Sequence, residues 1–314
     1  MPELATISTI DRPVIAQKGF RGFLGRLGIR LQPGENEKAE NRAMAEQSRD
    51  EEIVRQATWT RAVSVLVANR KGGVGKTPVS LMLGGTLAAV RAGSVCILEV
   101  SDDPGALTYR SEGHPRLGLG ELMRDVDTIT SAGQLAGYTA PQTSFASVVG
   151  TTSDRARLTH DDVIALSATI DRYYSIRLMD SGNQSSSSAF DGAVETADVL
   201  VIPVLNAPDA VYEAIGLLER LRSDGGKAAD LAKRAIILRL TDGRPEHARV
   251  LERVDRILAD SGAAEVFNVP YDAHIAERGQ ITLGSLNPIT RRVFAAVAAG
   301  VVRSLHSRSQ PGTL

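Results

Sequence analysis

Nine consecutive residues carry the clearest chemistry in the chain: Asn69-Arg70-Lys71-Gly72-Gly73-Val74-Gly75-Lys76-Thr77. Gly72, Gly73 and Gly75, with Val74 among them, let backbone N–H groups turn inward around phosphate oxygens, where a Cβ would block approach. Lys76 has the reach for β- and γ-phosphates, and the Thr77 hydroxyl suits Mg²⁺. Pro78 falls in a first helical turn, where a missing N–H costs little. The flanks agree. Residues 62–68 are apolar and β-branched, as in a buried strand, and residues 78–90 read as a helix whose positive end faces the same anion. Strand, glycine loop, Lys-Thr and helix is the context that confirms a phosphate-binding loop. A glycine-rich turn that binds nothing is the competing reading.

Two acids stand at the ends of other expected strands. Residues 94–100 run into Ser101-Asp102-Asp103-Pro104-Gly105, and residues 175–179 end at Asp180-Ser181-Gly182. An acid after an apolar strand and before glycine is the Walker B pattern, so Asp180 is expected beside Thr77, binding Mg²⁺ through a water. The alternative for Asp180 is an N-cap of the following helix.

Lys71, a second lysine at the start of the loop, makes the motif resemble the deviant Walker A loop of the ParA/MinD family of ATPases. The resemblance covers about residues 60–306. It implies ATP and Mg²⁺ as ligands, and an ATP-sandwich homodimer in which Lys71 reaches the partner's nucleotide. It also implies hydrolysis that is weak without an activator. Asp103 matches the second acid of the family's Asp-x-Asp-Pro, which positions the attacking water, and Ser101 stands where the first acid would be. That departure bears on hydrolysis more than on nucleotide binding. Asp103 also suits a plain turn before Pro-Gly. Pro270-Tyr271-Asp272, followed by Ile275 and Glu277, is similar to the family loop that lines the nucleotide pocket, which gives Pro270 and Tyr271 as cofactor contacts. Adenine contacts near Thr241 and Asp242 are left open. In layout the chain is most similar to MinD-like ATPases of actinobacteria that accompany type VII secretion loci.

The elements that must position these residues alternate as strands and helices from Arg61 onward. This predicts an α/β fold, a mainly parallel twisted sheet with helices on both faces. Glu99 and Arg177 interrupt strands expected to be buried, and the resemblance implies that these strands are neighbours, so a salt bridge between the two is expected, with a shifted strand or one that curls to water as the competing reading. Ahead of the core lies an N-terminal arm, residues 1–59. Within it, residues 18–31 place Phe20, Phe23, Leu24, Leu27 and Leu31 on one face with basic residues between, suited to an anionic membrane or a partner groove. Four glycines there oppose a stable helix, and a plain flexible arm or a flap on the protein's own surface is the competing reading. Residues 35–59 read as a charged linker helix, Trp59 marks the domain edge, and residues 307–314 form a flexible tail.

Of 314 residues, 43% are hydrophobic and 23% charged, as in an ordinary globular protein, and the net charge of −1 argues against a strongly basic nucleic-acid binder. The single cysteine, Cys96, allows no internal disulfide and fits a reducing cytoplasm. No signal peptide is expected, and the apolar run at 293–302 is too short to span a bilayer. A cytoplasmic protein is expected, peripheral at a membrane or on the nucleoid. Three functions compete: an ATP-dependent dimerisation switch that recruits or positions a partner, a partition ATPase riding on nonspecific DNA through Lys233, Arg234, Arg244, Arg249, Arg253 and Arg256, and a nucleotide-gated scaffold with little hydrolysis.

Overall fold

The computed structural model describes residue 32 and residues 34–309. The segment 18–31 lies outside the described residues. The chain divides into two units, Met1–Arg49 and Asp50–Leu314. Helix α1, Glu35–Gln56, begins in the first with Glu35 and Glu37 in its opening turn, where acids favour the helix dipole.

The second unit is built on β1 (Val63–Val67), α2 (Lys76–Arg91), β2 (Val95–Val100), α3 (Leu107–Arg110), α4 (Leu119–Asp125), α5 (Ala132–Ala136), β3 (Ala140–Pro141), β4 (Ser147–Val149), α6 (His160–Asp171) and β5 (Ile176–Ser181). It continues with α7 (Ser188–Thr196), β6 (Val199–Leu205), α8 (Pro208–Asp224), α9 (Gly226–Lys233), β7 (Ile236–Leu240), α10 (Ala248–Ala259), β8 (Glu265–Val269), α11 (Ala273–Ala276) and α12 (Pro288–Ser309). The eight strands form one sheet in the order β3-β4-β2-β5-β1-β6-β7-β8. Every pairing is parallel except β3 with β4. β5 lies between β1 and β2, as the resemblance implies.

The inner strands β1, β2 and β5 are buried at every residue, the signature of a sheet covered on both faces. Their alternate residues feed two cores. Leu66, Leu98 and Met179 pack on one side with α6, α7 and α8, while Val65, Ile97 and Leu178 pack on the other with α2 and α12. α6 starts with Thr159 Oγ1 accepting from the Asp162 N–H as N-cap.

Three expectations are corrected. Asp180 is inside β5 rather than after it, paired in register with Glu99. The expected linker helix is packed at its end: Val54 of α1 and Ala57 just beyond it join the core, and Arg91 donates to both of their carbonyls at 2.8 Å. The Arg91 guanidinium also lies 4.8 Å over the Trp59 ring. Finally, α12 runs to Ser309, past the expected start of a tail at 307. No described helix is long and apolar enough to cross a membrane.

Candidate phosphate-binding site

The loop between β1 and α2 turns through two left-handed residues, Gly73 at φ +75° and Gly75 at φ +95°, a region that L side chains rarely adopt. Gly75 is the N-cap of α2, and its carbonyl accepts from the Val79 N–H at 2.9 Å. Asn69, nearly buried at the end of β1, donates to the Pro203 carbonyl and accepts from the Lys71 N–H at 2.9 Å, which pins the start of the loop. Free N–H groups at a helix start and the left-handed turn before it make an anion cradle.

Beneath that cradle three side chains meet. Thr77 Oγ1 donates to Asp180 Oδ2 at 2.7 Å, and Ser80 Oγ donates to Asp180 Oδ1 at 3.0 Å. Burial pushes the Asp180 carboxyl up from 3.8 to about 6, against the pull of those two hydroxyls. Lys76 donates to the Lys71 carbonyl at 3.1 Å and to Asn183 Oδ1. Burial lowers its ammonium from 10.5 to about 8, with Asp180 acting the other way. Both groups are thus held toward their neutral forms.

A cavity of about 750 Å³ opens above them. Gly73, Val74, Gly75, Lys76, Thr77, Pro78, Asp180, Pro270 and Tyr271 all line it, so nine of the residues singled out in the sequence converge on one space. Thr241, Asp242 and Ile275 line it too; Glu277 does not. Lys71 and Gly72 lie on an adjoining hollow with Asn183 and Arg220. Lys71 is half-buried and pairs with Asp209 at 2.9 Å, which raises its pKa through the hydrogen bond and lowers that of Asp209. Asp103 lines neither space. It sits half-exposed on the loop after β2, paired with Arg157 at 2.9 Å.

The expected Glu99–Arg177 salt bridge does not form. The two strands are neighbours, but Arg177 is level with Cys96 and Glu99 is level with Asp180. Cys96 and Leu98 face one core, while Val95 and Ile97 face the other, so Arg177 and Glu99 project to opposite sides of the sheet. Arg177 instead pairs with Asp171 at 2.9 Å, and Glu99 pairs with Arg155 at 3.0 Å. Sequence reasoning missed Arg155, Arg157, Asp209 and Ser80. It noted Asn183 only within a polar loop. Ser80, one turn after Lys76 on the helix face that meets β5, was open to a spacing argument.

No protein-family model matches the chain. Two curated proteins, the ESX-1 secretion-associated protein EspI of Mycobacterium tuberculosis strains CDC 1551 and H37Rv, are 25% identical over 301 residues, 92% of this chain. The match takes in 42% of each relative, so the chain spans about two fifths of their length. Among solved structures, a ParA family ATPase from Chlorobium tepidum superposes with a TM-score of 0.58 at 14% identity, over 78% of this chain and 97% of that one. A complex of a McdA variant with ATP, from Cyanothece, gives 0.53 at 16% identity, over 77% and 97%. The MinC:MinD cell division complex of Aquifex aeolicus gives 0.53 at 17% identity, over 81% and 99%. The fold is that of the ParA/MinD P-loop ATPases.

Proposed function

We propose that this chain, with its ParA/MinD-type fold, is an ATP-dependent dimerisation switch that binds and slowly hydrolyses ATP to position or recruit a protein partner. The observation that carries the reading is the meeting of Lys76, Thr77 and Asp180 beneath a left-handed glycine turn on the wall of one cavity. The donor set fits Mg·ATP. Backbone N–H groups of residues 73–77 and the Lys76 ammonium suit the phosphates, and a hydroxyl with a buried carboxylate suits a hard, hydrated cation. Mg²⁺, when bound, neutralises charge on the phosphate oxygens. Asp180 would then stand in its ionised form. Pro270 and Tyr271 would flank the nucleoside. Lys71, half-buried on the adjoining hollow, would leave Asp209 for the nucleotide of a second copy. Asp103 would orient the attacking water once released from Arg157.

Similarity to a secretion-associated protein supports a secretion or membrane-associated machine as the partner's setting. Residues 1–59 would serve as the arm, with 18–31 as its docking segment, and 60–306 as the ATPase region. A second reading, a nucleotide-gated scaffold with little turnover, is favoured by one observation. Ser101 Oγ, at the place of the family's first acid, is spent on the Asp103 carbonyl at 2.6 Å. The DNA reading gains less. Arg249, Arg253 and Arg256 on α10 are exposed, but so are Glu252 and Asp255 between them.

The test is sizing and phosphate release with Mg·ATP for the wild type, Lys71→Ala and Asp103→Ala. The wild type is expected to dimerise with ATP, Lys71→Ala to stay monomeric, and Asp103→Ala to accumulate as the ATP-bound dimer. One unchanged profile across all three overturns the switch. Normal ATP affinity with no phosphate release selects the scaffold.

A further inference from the structure

The loop that carries Asp103 is wound around a buried ion pair. Arg155, in the segment between β4 and α6, meets Glu99 of β2 at 3.0 Å, and each side chain is only 1% exposed. Every N–H direction of the guanidinium is used. Nε donates to Thr151 Oγ1 at 2.8 Å. Nη1 donates to the carbonyls of Asp102 at 2.9 Å and Ala156 at 3.0 Å. Nη2 donates to Glu99 and to the carbonyls of Ser101 at 2.8 Å and Asp103 at 3.1 Å. Three consecutive carbonyl oxygens, 101 to 103, therefore end on one side chain.

The far end of the loop closes on the other member of the pair. The Gly105 N–H donates to Glu99 Oε1 at 3.0 Å, and a Cβ on Gly105 would stand 3.0 Å from that carboxylate. Thr151 donates to Glu99 as well. The loop's acceptors thus terminate on the cation and its donor on the anion. Glu99, Ser101 and Gly105 line the nucleotide cavity, so the pair stands in its wall. The Asp103–Arg157 pair cannot set the loop in the same way, because its side chains are 54% and 73% exposed and solvent screens them. The planar fork of arginine is what the arrangement needs. An ammonium has three donors, no plane, and cannot span the six oxygens together.

We propose that Arg155, held by Glu99, is the positioning residue that fixes the Asp103 loop against the cavity and thereby sets the rate of ATP hydrolysis. This rests on the ATPase reading above. Arg155 does not line the cavity and touches no reacting atom; it acts through the backbone of residues 101–103.

The experiment uses the full chain with Arg155→Lys and, as a variant that leaves no buried charge unpaired, the double substitution Glu99→Gln with Arg155→Met. Three quantities are read: equilibrium binding of a fluorescent ATP analogue with Mg²⁺, steady-state phosphate release, and amide hydrogen exchange over residues 101–105. For Arg155→Lys, affinity is expected within threefold of wild type, kcat at least tenfold lower, and loop exchange at least tenfold faster. The double variant shows the same losses in kcat and protection, and gives the reading if Arg155→Lys does not fold. Wild-type kcat in a folded variant overturns the proposal, as does a loss of affinity that matches the loss of kcat while loop protection is unchanged. Failure of the wild type to bind nucleotide removes the ATPase reading instead. In that case the exchange data alone decide, and unchanged protection at 101–105 removes the role of Arg155.

Discussion

Two sets of buried charges come together at the ends of β2 and β5, where Glu99 is level with Asp180, and they are treated in opposite ways. Glu99 and Arg155 are paired and hydrogen-bonded throughout, with loop carbonyls and hydroxyls taking up the remaining capacity. Lys76 and Asp180 are not. Among the described residues Lys76 makes no ion pair, and its donors go to a carbonyl and an amide oxygen. Asp180 has two hydroxyls and, among the same residues, no cation within ion-pair distance. Burial pushes both toward neutrality, to about 8 and about 6. Charges that build shape are completed by the protein itself; on the proposed reading, Lys76 and Asp180 are left for a ligand to complete.

That contrast is broken first, and most heavily, by leaving one member of the complete pair alone. Glu99→Ala or Arg155→Ala strands a buried charge and should destabilise the chain by about 3–5 kcal/mol in urea unfolding. A loss below about 1 kcal/mol would show that water reaches the pair.

The incomplete pair should respond with the opposite sign. The native Asp180 pKa of about 6 exceeds its ordinary value of 3.8, so the native state binds the extra proton. Its contribution therefore lowers stability progressively as pH rises from about 4 to about 6, and the cost is complete above that. In nucleotide-free, EDTA-treated protein at about pH 7.5, Asp180→Asn is expected to stabilise by at most about 3 kcal/mol, and the gain should shrink toward about pH 5. A loss of stability at the higher pH would mean that Asp180 is compensated in the empty state. The smallest effect belongs to the exposed pair on the same loop: Arg157→Ala should change stability by less than about 1 kcal/mol, and less still at high salt.

The cradle was legible because its signal is local. Nine adjacent residues, a preceding apolar strand and a following helix specify it without knowledge of the tertiary fold. Asp180 was legible for the same reason, at the end of an apolar strand, and the strand order that places it next to β1 followed from the resemblance. The partners of Glu99 and Arg177 were not legible. Hydrophobicity marks both as buried, but their partners depend on register and on which face of the pleat each side chain leaves. Arg155 was hidden altogether. It lies 56 residues from Glu99, in a segment without periodicity, and only the closed loop brings three carbonyls to its fork. Lys71 and Asp103 were legible as residue types, but their present partners, Asp209 and Arg157, come from a distant helix and a distant loop.

Arg91 ends the helix that begins at the phosphate cradle, and it grips the carbonyls of Val54 and Ala57. Sixteen residues of helix, about 24 Å, separate that grip from Thr77's end. The backbone at Val54–Ala57 and the glycine turn at Gly73–Gly75 are thus fastened to opposite tips of a single rod.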